Sequence, residues 1–167
     1  SIFLSPMASN KESTLNSATQ KTSQIAQEEQ PTYSLEQIKA LKKEADTNFL
    51  QKNFKLAIKG YTETIEAITK KFEEIYSFND EASASNLIHD LGVPTYSNLA
   101  KCYFREEDYR NAIKISSKIL DIEPNNVKAL YLRFKSFVES SEIEQAEKDL
   151  DLLRDLMKDN NKKELED

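Results

Sequence analysis

The sequence predicts an all-helical chain, and three observations carry that prediction. Only two glycines occur in 167 residues, Gly60 and Gly92, too few for the tight turns of a many-stranded β fold or for a glycine-rich phosphate loop. Apolar residues recur at three- and four-residue steps through most of the chain after Ser34, the spacing of a buried helix face. The pattern also repeats itself: Ala100 and Phe134, Tyr109 and Ile143, and Ala112 and Ala146 are each 34 residues apart.

The elements follow in order. Residues 1–34, rich in Ser, Thr, Asn, Gln and Lys, bury too little apolar surface to offset their ordering entropy and are predicted to be a polar tail. Ser34 with Gln37 has the spacing of a capping box, which predicts a first helix from Leu35 to Gln51 with Ile38, Leu41, Ala45 and Phe49 on its buried stripe. Lys52 and Asn53 interrupt the pattern, and a second helix from Phe54 into the seventies carries Ala57, Ile58, Tyr61, Ile65 and Ile68. A polar insertion loop over about 70–92 is expected to end in a chain reversal at Gly92, with Pro94 opening a third helix through Tyr96, Leu99, Ala100, Tyr103 and Phe104. After a break at Glu106–Asp108, a fourth helix from Tyr109 stops at Ile122 because the residue before Pro124 is pushed out of the α region. Val127–Glu139 and Glu142–Met157 repeat the plan, making six helices in three hairpins, followed by a charged tail over 159–167.

Composition narrows the function. With 23 basic and 29 acidic side chains the net charge is −6, which argues against nucleic acid as a partner, since phosphate neutralisation needs clustered Lys and Arg. One cysteine, Cys102, cannot make an internal disulfide, and with one histidine, His89, no Cys/His metal site is expected. No cofactor is expected either. No apolar run approaches a membrane span, and Ile2–Leu4 is far too short for a signal peptide. The first arginine is Arg105, so a mitochondrial address would require an Arg-rich presequence already removed. A cytoplasmic location is the expectation, with a mitochondrial one after such removal as the alternative.

The 34-residue period also reaches backwards. Ala45 and Ala100, Phe54 and Tyr109, and Ala57 and Ala112 are each 55 apart, one period plus an insertion of 21. A helix-turn-helix unit of this length resembles the tetratricopeptide repeat. The second repeat shows the pattern most fully, with Tyr96, Leu99, Ala100, Tyr103, Tyr109, Ala112 and Pro124; the first offers Leu41, Ala45, Phe54, Ala57 and Tyr61; the third offers Leu130, Phe137, Ile143, Ala146 and Leu150. The third puts Phe134 where the family prefers Gly or Ala at the helix crossing. The elongated second helix, the run from Pro94 to Tyr103 and the run from Glu123 to Tyr131 look like the three-repeat domain of large immunophilins and related co-chaperones. The resemblance covers 35–158, with repeats at about 38–69, 93–126 and 127–158, and implies a right-handed α-solenoid with an extended second helix and an insertion loop. The isomerase domain that accompanies this module in immunophilins is absent from the sequence.

The resemblance implies a concave groove that binds a peptide or protein partner. In chaperone-binding members, five polar residues clamp the carboxylates of a chaperone tail. Lys42, Asn98 and Lys128 match three clamp positions, whereas Asp46 and Leu132 depart from the other two. Asn48 and Arg133 are the nearest substitutes, but two residues along a helix turn a side chain by roughly 200° and one by roughly 100°. Arg133 reaches part of the way on its long stem. Two function classes stay open: a co-chaperone-like binding scaffold, and an accessory structural subunit of a larger assembly with no chaperone-tail binding. No nucleophile or acid-base constellation is found, and no catalytic activity is expected. Cys102 is expected to be a small, partly buried apolar residue and His89 a solvated loop residue. Beyond Met157 only a short charged stretch with Leu165 remains, so Leu152, Leu153, Leu156 and Met157 are expected to be partly exposed and to mark a further contact at that end.

Overall fold

In the computed structural model, the backbone of residues 32–166 and the side chains of 32–158 are described. The tail expected over 1–34 thus lies outside the described residues up to position 31, as do Leu165 and the other side chains of the charged stretch at 159–167. All described elements are helical: α1 (Leu35–Leu50), α2 (Phe54–Ser77), α3 (Glu81–Leu87), a π-helical turn (Ile88–Gly92), α4 (Val93–Arg105), α5 (Tyr109–Ile122), α6 (Val127–Glu139) and α7 (Ile143–Glu166). Each packs on the next along the chain, α2 also packs on α4, and α4 touches both α1 and α6.

Three hairpins, α1–α2, α4–α5 and α6–α7, share one turn geometry. Lys52, Glu107 and Ser141 adopt left-handed φ of 61°, 60° and 63°. In each turn the next amide reaches back five residues, from Asn53 to Asn48, Asp108 to Tyr103 and Glu142 to Phe137, at 2.9, 2.9 and 2.8 Å. These bonds satisfy carbonyls that a helix end leaves free. Phe49 meets Phe54 edge-on at 5.9 Å, and Phe104 meets Tyr109 the same way at 5.5 Å. The starts are capped as the residues require: Ser34 and Gln37 form the full capping box, and Asp80, Asp108 and Asn126 each accept an amide three residues on.

The insertion corrects the expected loop. Helix α2 runs to Ser77, and from Glu81 the chain is helical through the π turn to Arg105. Gly92 makes no reversal: its φ and ψ are −64° and −58°. Ala84, Leu87, Ile88 and Leu91 fall at helical spacing, and Leu87, Ile88 and Leu91 close a core with Ile38, Ala67, Ile68, Phe72 and Ile75. The π turn explains how Pro94 sits in this continuous helix. A proline clashes with the carbonyl four residues earlier; here that residue is Asp90, inside the widened turn.

The main core joins Ala45, Ala57, Tyr61, Leu99, Ala100, Cys102 and Ile115, and a third cluster joins Val93, Ile119 and Ala129. Among the described residues one buried side-chain group lacks a partner. Ser116 is fully buried and its hydroxyl makes no hydrogen bond among the described residues. Ser116→Ala is therefore expected to leave stability unchanged or to raise it by up to about 1 kcal/mol. Urea unfolding reads this directly, and a clear loss of stability would show the hydroxyl to be bonded.

At the far end of the repeats, Leu153 is buried whereas Leu152 is 52% and Met157 59% exposed, with Leu156 between these extremes. Leu153 thus departs from the expected exposed set, because it turns onto the α6 side of its helix along with Ala146 and Asp149.

Candidate functional site

The first helices of the three repeats place the predicted groove residues side by side. A cleft of about 510 Å³ opens between α4 and α6. Val93, Pro94, Ile119, Tyr131 and Leu132 supply apolar surface, and Asn98, Lys101 and Lys128 supply polar groups at its edges. Pro94, Ser97, Asn98 and Lys101 share one face because they recur at three- and four-residue steps. The two lysines have no acidic partner within ion-pair distance among the described residues.

Beside Asn98, at the α1 side, three donors meet on Asp46. Lys42 Nζ lies 2.7 Å from Oδ2, one helical turn away. The Tyr61 hydroxyl, from α2, donates to Oδ1 at 2.6 Å, and Asn98 Nδ2, from α4, donates to the same oxygen at 3.1 Å. Partial burial pulls the Asp46 pKa up, but the hydrogen bonds from Lys42 and Tyr61, the charge of Lys42 and the Asn98 amide outweigh it and hold it below the ordinary 3.8. Asp46 is therefore a carboxylate at neutral pH. Burial, and then the same carboxylate, push the Tyr61 phenol far above its ordinary value, so it stays a donor.

The structure thus brings Lys42 and Asn98 together on Asp46 and places Lys128 across the cleft, with Leu132 half-buried on its wall. The two substitutes considered from the sequence turn elsewhere. Asn48 donates to the Glu44 carbonyl at 3.2 Å and lines a separate cleft with Leu41, Leu56 and Gly60. Arg133 is not a groove residue: Nε and Nη2 grip both oxygens of Asp149 in α7 at 2.8 and 2.7 Å, and Nη1 reaches Ser117 in α5 at 3.1 Å. The rotation of roughly 100° per helical residue carries it to that side.

Sequence spacing missed Tyr61 as a donor, because its contact with Asp46 crosses from α2 to α1. Lys101 was detectable, standing three residues after Asn98. His89 is held at the surface: Nδ1 lies 3.0 Å from Glu123 Oε1, tying the π turn to the end of α5. The hydrogen bonds from Asn126 and His89 hold the Glu123 carboxyl below its usual value. Cys102 is fully buried, and burial, reinforced by the charge of Glu106, pushes its thiol up to about 12, far from the thiolate that nucleophilic chemistry requires.

Helical hairpins at a 34-residue period, stacked so that α1, α4 and α6 adjoin, give the chain a tetratricopeptide-repeat fold. Its repeats are of the kind found in FK506-binding proteins and co-chaperones. The C-terminal TPR-containing domain of a Plasmodium falciparum FK506-binding protein superposes with a TM-score of 0.58 at 26% identity, covering 74% of this chain and 82% of that one. FK506-binding protein 59 of Drosophila melanogaster is 32% identical over 108 residues, 64% of this chain and 22% of that protein. The Hsp70/Hsp90 co-chaperone CNS1 of Saccharomyces cerevisiae is 32% identical over 115 residues, 67% of this chain and 28% of that protein. Protein unc-45 homolog B of Xenopus laevis is 26% identical over 110 residues, 66% of this chain and 10% of that protein. The matched region therefore spans between 10% and 28% of these relatives. No protein-family model matches the chain. No helix among the described residues is long and apolar enough to cross a membrane.

Proposed function

We propose that this chain is a non-enzymatic, co-chaperone-like interaction scaffold, and that the cleft between α4 and α6 receives an extended peptide segment of a protein partner. The observation that carries the reading is the cleft itself: about 510 Å³ of mainly apolar lining, flanked by two lysine ammoniums with no acidic partner among the described residues. An apolar floor with a few placed polar groups is the usual make-up of a recognition site. The similarity to a protein titled an Hsp70/Hsp90 co-chaperone supports a chaperone-related partner. The exposed Leu152 and Met157 support a second contact at the last repeat.

A short peptide with two leucines around one acid, acetyl-Ser-Leu-Glu-Leu-Ser-amide, is expected to bind the full chain with micromolar affinity in a calorimetric titration. Tyr131 lines the cleft from an exposed position, so Tyr131→Glu removes apolar surface and adds a repelling charge without disturbing the core. It is expected to weaken binding about tenfold or more. No heat, or heat unaffected by that substitution, would leave the chain as an accessory structural subunit of a larger assembly.

A further inference from the structure

At the edge of the cleft an ammonium, a phenol and an amide from three different helices converge on one point. Donors gathered from separate helices in this way form an anion site, and charge-assisted bonds to such a site are the strong ones. Here the anion is the protein's own. Asp46 uses both oxygens, and its side chain remains 35% exposed while Lys42 is only 17% exposed. The acceptor is thus the more exposed partner, next to Asn98, which lines the cleft, and the ammonium that neutralises it is the more buried one. A second carboxylate arriving at these donors would meet Asp46 at contact distance and be repelled in a partly dry setting.

Asn98 belongs to both arrangements: it donates to Asp46 and lines the cleft beside Lys101 and Lys128. Lys101 approaches only the Asn98 carbonyl oxygen, at 3.5 Å. The charge on this face is thereby sorted, with Lys42 cancelled by Asp46 and the uncancelled ammoniums standing next to apolar surface.

We propose that Asp46 is a built-in carboxylate ligand that sets the specificity of the groove. It occupies the donors of α1, α2 and α4 and leaves recognition to the Lys101 and Lys128 side, so the cleft takes a peptide segment with bulky apolar side chains beside a single acidic group and gains nothing from a doubly charged chain end. This rests on the groove reading given above.

The test compares acetyl-Ser-Leu-Glu-Leu-Ser-amide with acetyl-Ser-Leu-Glu-Leu-Asp bearing a free terminal carboxylate, titrated into the full chain. The unaltered chain is expected to bind the two within about threefold of each other. Asp46→Asn keeps the shape, removes the charge and frees Lys42, so it is expected to prefer the doubly charged end by about tenfold or more. Adding Lys42→Ala should abolish that preference. Asp46→Ala serves as the second variant, and circular dichroism checks that each is folded. A tenfold preference for the charged end in the unaltered chain, lost in Lys42→Ala, would overturn the inference. So would a folded Asp46→Asn or Asp46→Ala that shows no preference. In both cases the amidated peptide would still bind, and the groove reading would stand. Binding of neither peptide by any of the proteins would overturn both.

Discussion

Replacing Arg133 with alanine is expected to cost the repeat domain about 3–5 kcal/mol, because the change strands a buried charge. Asp149 is only 3% exposed, and both of its oxygens are held by the Arg133 fork. Without the guanidinium the carboxylate keeps its desolvation penalty and loses its compensation. The fork also reaches Ser117, so one side chain ties α5, α6 and α7. Arg133→Lys should fall between the two, since an ammonium cannot make the paired bonds. Urea unfolding of the two variants measures both effects, and a loss in Arg133→Ala below about 1 kcal/mol would show that the pair has little structural weight.

The second large effect is expected at Gly60. A Cβ built there would lie 2.9 Å from the Cβ of Ala45 and 3.3 Å from its Cα, and neither atom moves without moving α1. The α1–α2 crossing is therefore closed to anything larger than glycine. Alanine is the better helix former by about 1 kcal/mol, yet Gly60→Ala is expected to destabilise by about 1–3 kcal/mol because overpacking outweighs propensity. Moving α1 would also shift Lys42 and Asp46 against Tyr61. Thermal unfolding decides the matter, and a melting temperature equal to or above that of the unaltered chain would show that α1 yields freely.

The repeat helices and their turns were legible because a fixed period in sequence produces a fixed period in packing. Ala45, Ala100 and Ala112 were identifiable as core positions from their offsets alone, and all are buried. The insertion was not. Ala84, Leu87, Ile88 and Leu91 hold helical spacing, but the flanking Asn79 and Asp80, the serines at 83 and 85, and the glycine before Pro94 are local signals of turns. Packing of Leu87 against Ile38 and Ile68 overrode them. For the site, spacing placed Lys42, Asn98 and Lys128 on first helices. It could not show that Tyr61 would cross to Asp46, since that contact depends on how closely Gly60 lets two helices approach. Nor could spacing pair Arg133 with Asp149, one period beyond Leu99 and Ile115, which both lie in the apolar core. An ion pair has replaced hydrocarbon at equivalent positions, and no local rule announces such an exchange.

The recurring hairpin turn has a consequence for how this repeat is written in the chain. At the left-handed position, where glycine is the economical choice, the three repeats carry Lys52, Glu107 and Ser141, three side chains with nothing in common. What they share lies in the main chain: a backward-reaching amide, a helix end and a reversed dihedral. The unit of inheritance at this point is a conformation, and the letters that encode it are free to drift. A vocabulary of preferred residues grasps such a segment poorly, whereas a grammar of hydrogen bonds reads all three turns as the same word.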